Sequence, residues 1–173
     1  MMYKILDNHI QVDLKERGYK KAKSSMLGYS KKVDDHYINF WFQCSRDGFD
    51  EYAGSKFIVQ FSVDDLAEVG YSGSDGGRIP KYLTLEELKE IKLIQNKIVR
   101  RLTKPSLSYF SSSWHTDVIN GYLKKFEPVI DSYTNTSDIW FRYMTESDVD
   151  EWGCYLKEII VRTLTLLETK TFS

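Results

Sequence analysis

The chain has 173 residues, a formal net charge of −1 and a pI near 6.3. Its length fits one domain, and 42% hydrophobic with 28% charged residues is the composition of a packed globular protein, not a disordered one. A chain that neutralises many phosphates carries a basic excess; this one does not, which weighs against nucleic acid as a partner.

Tyr3 to Arg17 reads as the first helix, because Leu6, Ile10 and Leu14 recur every four residues and Gly18 follows as a terminator. Three strands come next. Ser25 to Val33 is the first, and Asp34-Asp35 makes the turn. His36 to Ser45 is the second, with Ile38, Phe40, Phe42 and Cys44 on one face and Tyr37, Asn39, Trp41 and Gln43 on the other. Lys56 to Val63 is the third, with Phe57, Val59, Phe61 and Val63 alternating against Ile58, Gln60 and Ser62. Period-two alternation implies one dry face and one partly wet face. Arg46 to Ser55 is a polar hairpin loop. Gly70 to Pro80 is glycine-rich and reads as a long connection, since it lacks the Gly-Lys-Ser/Thr ending of a phosphate-binding loop and the spacing of a dinucleotide fingerprint.

A long helix starts near Thr84, whose capping box is completed by Glu87. Leu85, Leu88, Ile91, Ile98 and Leu102 form its apolar stripe, and Thr103-Lys104-Pro105 ends it. A Ser-rich link, Ser106 to Ser113, precedes a shorter helix over Thr116 to Phe126. Ile139 to Met144 reads as a fourth strand. The last helix is read as capped by Ser147. Its buried face is Val149, Trp152, Leu156, Ile160, Thr163 and Leu167. The order α-β-β-β-α-α-β-α groups strands early and helices late. That predicts an α+β fold over residues 1–173, with a mostly antiparallel sheet of at least four strands packed by helices.

The chemistry-bearing residues are sparse. Cys44 and Cys154 have neither disulfide-framework nor zinc spacing and read as small buried residues. His9, His36 and His115 never pair at helical spacing, so any metal site would have to be assembled by the fold. No cofactor and no structural metal are expected. Ser113, His115 and Asp117 carry triad residue types, yet neighbours two apart cannot form a triad alone. No stretch approaches the length of apolar sequence that spans a bilayer, and the N-terminus lacks a signal-peptide pattern; a cytoplasmic location is the expectation.

Binding candidates come from aromatic and acidic residues. Tyr37, Trp41 and Gln43 share the wet face of the second strand, and rings there would suit a protein partner; the alternative is that one of the four helices covers this face. Asp47, Phe49, Asp50, Glu51 and Tyr52 share one hairpin loop, where acids mixed with rings suit a basic partner surface; the competing account is a solvated loop that keeps the hairpin soluble. From Lys15 to Lys32 there are seven basic residues and one acid, and from Asp34 to Glu51 five acids and one Arg.

The first 65 residues also carry a resemblance. Lys15 to Lys21 (Lys-Glu-Arg-Gly-Tyr-Lys-Lys), Tyr37 to Ser45 and Phe57 to Val63 resemble a bacterial group of unknown function built from a helix and a β-meander. Some of its members are similar to immunity proteins that neutralise polymorphic toxins. Tyr19 stands where that group has Phe. The resembling motifs are mostly structural, so they carry fold more than function, and they assign no catalytic residue. The favoured reading is a non-enzymatic protein-binding domain, toxin-immunity-like on the resemblance, with a basic protein such as a toxin as the partner that the acidic loop suits. The alternative is a small hydrolase or metal-dependent nuclease with a site built only by the fold.

Overall fold

The computed structural model describes residues 1–70 and 75–170. Helix α1 (Met2–Glu16) buries Met2, Leu6, Ile10 and Leu14. It stops at Gly18, whose φ of 82° is strained for any residue with a Cβ. The Gly18 N–H donates to the Lys15 carbonyl and the Tyr19 N–H to the Leu14 carbonyl, both at 2.9 Å. This is the paired closure of a Schellman ending, and it folds Tyr19 back into the core.

Six strands form one antiparallel sheet: β1 (Lys20–Lys21), β2 (Leu27–Val33), β3 (His36–Cys44), β4 (Ser55–Asp64), β5 (Asp75–Arg78) and β6 (Phe141–Tyr143). Helices α2 (Leu85–Arg101), α3 (Thr116–Leu123) and α4 (Glu146–Thr169) complete the fold. The α+β class and the antiparallel sheet are therefore as expected. The order runs β1-β2-β3-β4, and then β5 and β6 share the free edge of β4 end to end. β6 takes Ser55 to Phe57, and β5 takes Gln60 to Val63.

Two strands go beyond the expected order. The residues of β1 are a basic pair after the helix stop. The residues of β5, Asp-Gly-Gly-Arg, fall in the segment read as a glycine-rich connection. The reason for the glycine is steric: a Cβ on Gly76 would stand 2.3 Å from the Phe61 carbonyl oxygen. The residue that lets this strand approach β4 is the one that argues against a strand from sequence. Tyr71 to Ser74 of that segment lie outside the described residues.

The inner faces of β3 and β4 supply Ile38, Phe40, Phe42, Phe57, Val59, Phe61 and Val63 to one core cluster with α1, α2 and α4. α1 and α4 lie side by side and run the same way: Asp13 meets Lys157, and Arg17 meets Glu168. The capping box of Thr84 and Glu87 is present. Leu88, Ile91 and Ile98 are buried, but Leu85 is 69% exposed because it sits in the first turn, off the core-facing stripe.

The α4 start differs from expectation. Thr145, not Ser147, is the N-cap. Its hydroxyl accepts from the Asp148 N–H, and the Asp148 carboxylate accepts from the Thr145 N–H at 2.9 Å. Asp148 takes the place that Glu or Gln fills in the usual box, so the pattern was present in the sequence with a shorter acid. All six residues named for the buried face of α4 are buried. The cysteines are less buried than expected: Cys44 is half-buried and Cys154 exposed.

Candidate functional site

The outer face of the sheet carries Tyr37, Trp41 and Gln43, and it is not open. Trp41 is 1% exposed, so the expected ring surface is not available to a partner there. The segment after β4 crosses this face. The Leu66 carbonyl accepts from Asn39 Nδ2 at 3.0 Å, and Val69 Cγ1 lies 2.8 Å from where a Gly28 Cβ would stand. Gln43 accepts from Gln60 across the β3–β4 register. Tyr37 is half-buried.

The hairpin loop between β3 and β4 presents a different picture. Asp47, Phe49 and Glu51 are exposed, and Phe49 is 60% exposed. Asp47 stands 3.7 Å from Lys56 in an exposed pair. Asp50 is the anchor of the loop and faces inward. Its carboxylate accepts from the Tyr52 and Ala53 N–H groups at 2.8 and 2.7 Å, and from the Tyr122 hydroxyl at 2.8 and 3.0 Å. Burial alone would raise this carboxyl. The hydrogen bonds from Ala53, Tyr122 and Tyr52, with the charge of Lys125, outweigh it and hold Asp50 below the ordinary carboxylate range. Gly54 closes the loop by exchanging two backbone hydrogen bonds with Asp50. Asp50 is thus structural, while Asp47 and Glu51 are the acids a partner could meet.

The loop is backed by rings from the Ser-rich link and from α3 and the turn after it. Tyr52 meets Tyr109 edge-on at 4.9 Å, and Tyr122 lies 5.5 Å from Phe110 and 5.6 Å from Phe126. Trp114, 5.6 Å from Phe110, remains partly exposed. The available signal was aromatic density: four rings between Tyr109 and Tyr122 in a polar stretch.

Beside the loop lies a cleft of about 400 Å³, at the starts of α1 and α4. Its walls are mostly apolar, with Ile5, Phe49, Tyr143, Met144 and Val149 among them and Glu146 as the carboxylate. The phenol of Tyr3, also in the wall, is raised to about 12 by burial and by neighbouring Cys44. A second cavity, about 280 Å³, contains Asp34, Asp35, His36 and Glu168. Glu168 is engaged there: it accepts from Tyr19 at 2.9 Å and pairs with Arg17 and Lys31, and His36 faces Asp65 at 3.6 Å.

Among the described residues, one group brings three His, Cys or acid donor atoms within 4.8 Å of one another: His9, Asp150 and Cys154. It lies on the α1–α4 seam, and neither cavity above includes it. His115 precedes α3 as its N-cap residue without a side-chain capping bond. No helix among the described residues is long and apolar enough to cross a membrane. No family model, no curated protein and no solved structure matches this chain.

Proposed function

We propose that this chain is a non-enzymatic protein-binding domain whose Asp47–Tyr52 loop and adjoining apolar cleft receive a basic protein partner. The observation that carries this reading is the cleft. It is open, apolar and walled by Phe49, the ring of the loop whose exposed acids are Asp47 and Glu51. An apolar side chain of a partner would fill it and act as the anchor. Cationic groups around that side chain would meet the two loop carboxylates and Glu146, which sets orientation and encounter rate. A toxin with a basic surface, neutralised in the bacterial cytoplasm, is the partner class that the loop and the resemblance of the first 65 residues jointly favour. The hydrolase or nuclease reading has less support, because the cleft holds no His beside its carboxylate.

Site-specific photo-crosslinking tests the proposal. A photo-reactive residue replaces Phe49 in one variant and Leu93, exposed on α2, in another, and both are expressed in native host cells. The expected result is one basic protein captured at position 49 and not at 93. The pair Asp47→Lys and Glu51→Lys should slow its association at low ionic strength, with the difference shrinking as salt rises. Asp50 stays unchanged, since it holds the loop together. Equal capture at both positions, or association indifferent to the charge reversal, overturns the reading.

A further inference from the structure

Asp150 and Cys154 stand four residues apart on α4, so they project from one face, one turn from each other. α1 lies against that face and places His9 between them. His9 Nε2 is 2.8 Å from Asp150 Oδ1, and His9 Nδ1 is 3.8 Å from Cys154 Sγ. The imidazole is mostly covered, while the Asp150 side chain is 63% exposed and Cys154 is open to solvent. The ring lies on the backbone of α4 at Gly153, where an added Cβ would meet His9 Cδ2 at 2.3 Å and Cγ and Nε2 at 2.9 Å. Glycine is a poor helix former, second only to proline, so its place here has a steric reason: it makes room for the imidazole.

The order thiol, Nδ1, Nε2, carboxylate decides what the group can do. A carboxylate accepting from Nε2–H fixes the proton on that nitrogen and leaves Nδ1 as an acceptor aimed at the thiol. This is the arrangement of a nucleophile, its base and the group that orients the base. The three donor atoms lie within 4.8 Å of one another, but the short contacts place the two partners on the two different ring nitrogens, where a metal would take one nitrogen with both other donors. Cys44 offers the internal contrast: it is half-buried and its Sγ lies 3.7 Å from Met2 Sδ.

We propose that Cys154 is a base-assisted thiol, positioned by His9 and Asp150 over Gly153, that forms mixed disulfides with small disulfide compounds. As Sγ attacks one sulfur of the disulfide, His9 Nδ1 takes the thiol proton. The new S–S bond forms and the old one breaks. The leaving thiolate then takes the proton from the imidazolium, so one disulfide and one thiol enter and one of each leaves. The charged neighbours along the seam, Lys157 and Asp13, are paired with each other at 2.8 Å one turn further on.

The test uses the full chain with Cys44→Ala, which leaves Cys154 as the reacting thiol. An uncharged dipyridyl disulfide is added in excess, and the released thiopyridone gives the rate. His9→Gln should slow the reaction by about tenfold, less than the 10²–10⁴ of enclosed general bases because this site is exposed. Asp150→Asn should slow it by less. Gly153→Ala replaces none of the three groups, yet its Cβ would stand 2.3 Å from His9 Cδ2 and should slow the reaction by displacing the ring. Circular dichroism of each variant confirms that the helices persist. Equal rates in the parent, His9→Gln and Gly153→Ala overturn the proposal. So does stoichiometric Co²⁺ binding with a thiolate charge-transfer band that Cys154→Ser abolishes, since that outcome makes the group a metal cage.

Discussion

Trp152 offers the sharpest test of how the fold is held together. Its side chain is 0% exposed. The ring meets Phe141 of β6 edge-on at 5.0 Å, and its Nε1–H donates to the Arg142 carbonyl at 2.7 Å. Trp152 therefore joins the last helix to the last strand by packing and by a hydrogen bond together. Truncation to Ala removes both. Large aromatic-to-Ala changes in cores cost about 3–5 kcal/mol, and an unpartnered buried carbonyl adds about 1 kcal/mol or more. That sum, about 4–6 kcal/mol, is a large fraction of the roughly 5–15 kcal/mol that stabilises an ordinary domain. Trp152→Phe keeps most of the ring and loses the donor, so its cost should fall near 1–2 kcal/mol on the same scales. Urea unfolding followed by far-ultraviolet circular dichroism measures both, because fluorescence would change with the Trp itself. A loss under about 1 kcal/mol for Trp152→Ala, the size of an ordinary surface change, refutes the placement of α4 on β6.

Asp148 predicts a pH dependence. Burial works to raise its carboxyl, but the N–H groups of Met144 and Thr145 and the Arg101 guanidinium outweigh burial and lower it. A depressed folded-state value stabilises above the unfolded value of about 4 and is lost as pH falls through the folded one. The stability gap between the native protein and Asp148→Asn should be open at neutral pH and close in acid; a gap that persists unchanged in acid contradicts this account. Gly54→Ala should cost about 1–3 kcal/mol, because the new Cβ would stand 2.1 Å from the Tyr143 carbonyl at a φ of 68°; an unchanged urea midpoint would show that the loop relaxes. Tyr122→Phe removes the hydroxyl from Asp50 and should raise protease cleavage in the loop while leaving the unfolding midpoint nearly in place. Chelation should leave the melting temperature unchanged, since His9 divides its two nitrogens between separate partners, and a drop of several degrees would refute that.

Helices α1 and α2 were legible because each carried its own punctuation. The repeat of Leu6, Ile10 and Leu14, the stop at Gly18 and the box of Thr84 with Glu87 are local signals, and the molecule uses each as read. β3 and β4 were legible because their alternation is complete. β5 was not, since Gly76 serves a contact with Phe61 that no local pattern encodes. The seam of His9, Asp150 and Cys154 was hidden for the same reason. Its members are 141 and 145 residues apart in the chain, and only the parallel packing of α1 on α4 joins them. Gly153 was its one local trace, a glycine in the middle of an otherwise continuous apolar stripe.

The outer sheet face shows why polarity in a strand is an ambiguous signal. Asn39 and Ser62 alternate with apolar neighbours as solvent-facing residues do, and both are buried. What covers them includes irregular chain, with the Leu66 carbonyl on Asn39 Nδ2 and Val69 against Gly28. A helix covering a sheet brings its own backbone hydrogen bonds and asks for an apolar floor. A loop brings unpaired carbonyl and N–H groups, and burying those is costly unless the floor supplies partners. A strand face beneath a loop must therefore keep some polar side chains, and it reads as wet when it is dry. Gly28 fits the same account, since the loop comes too close for a side chain at that point. Trp41 is buried as well, and the rings and acids that stay exposed include those of the β3–β4 loop. That loop is also where Asp50 and Tyr122 spend hydrogen bonds on holding Phe49, Asp47 and Glu51 out to solvent. On the proposed reading, the ring that this fixed segment exposes is there for contact, since solubility would ask for charges alone.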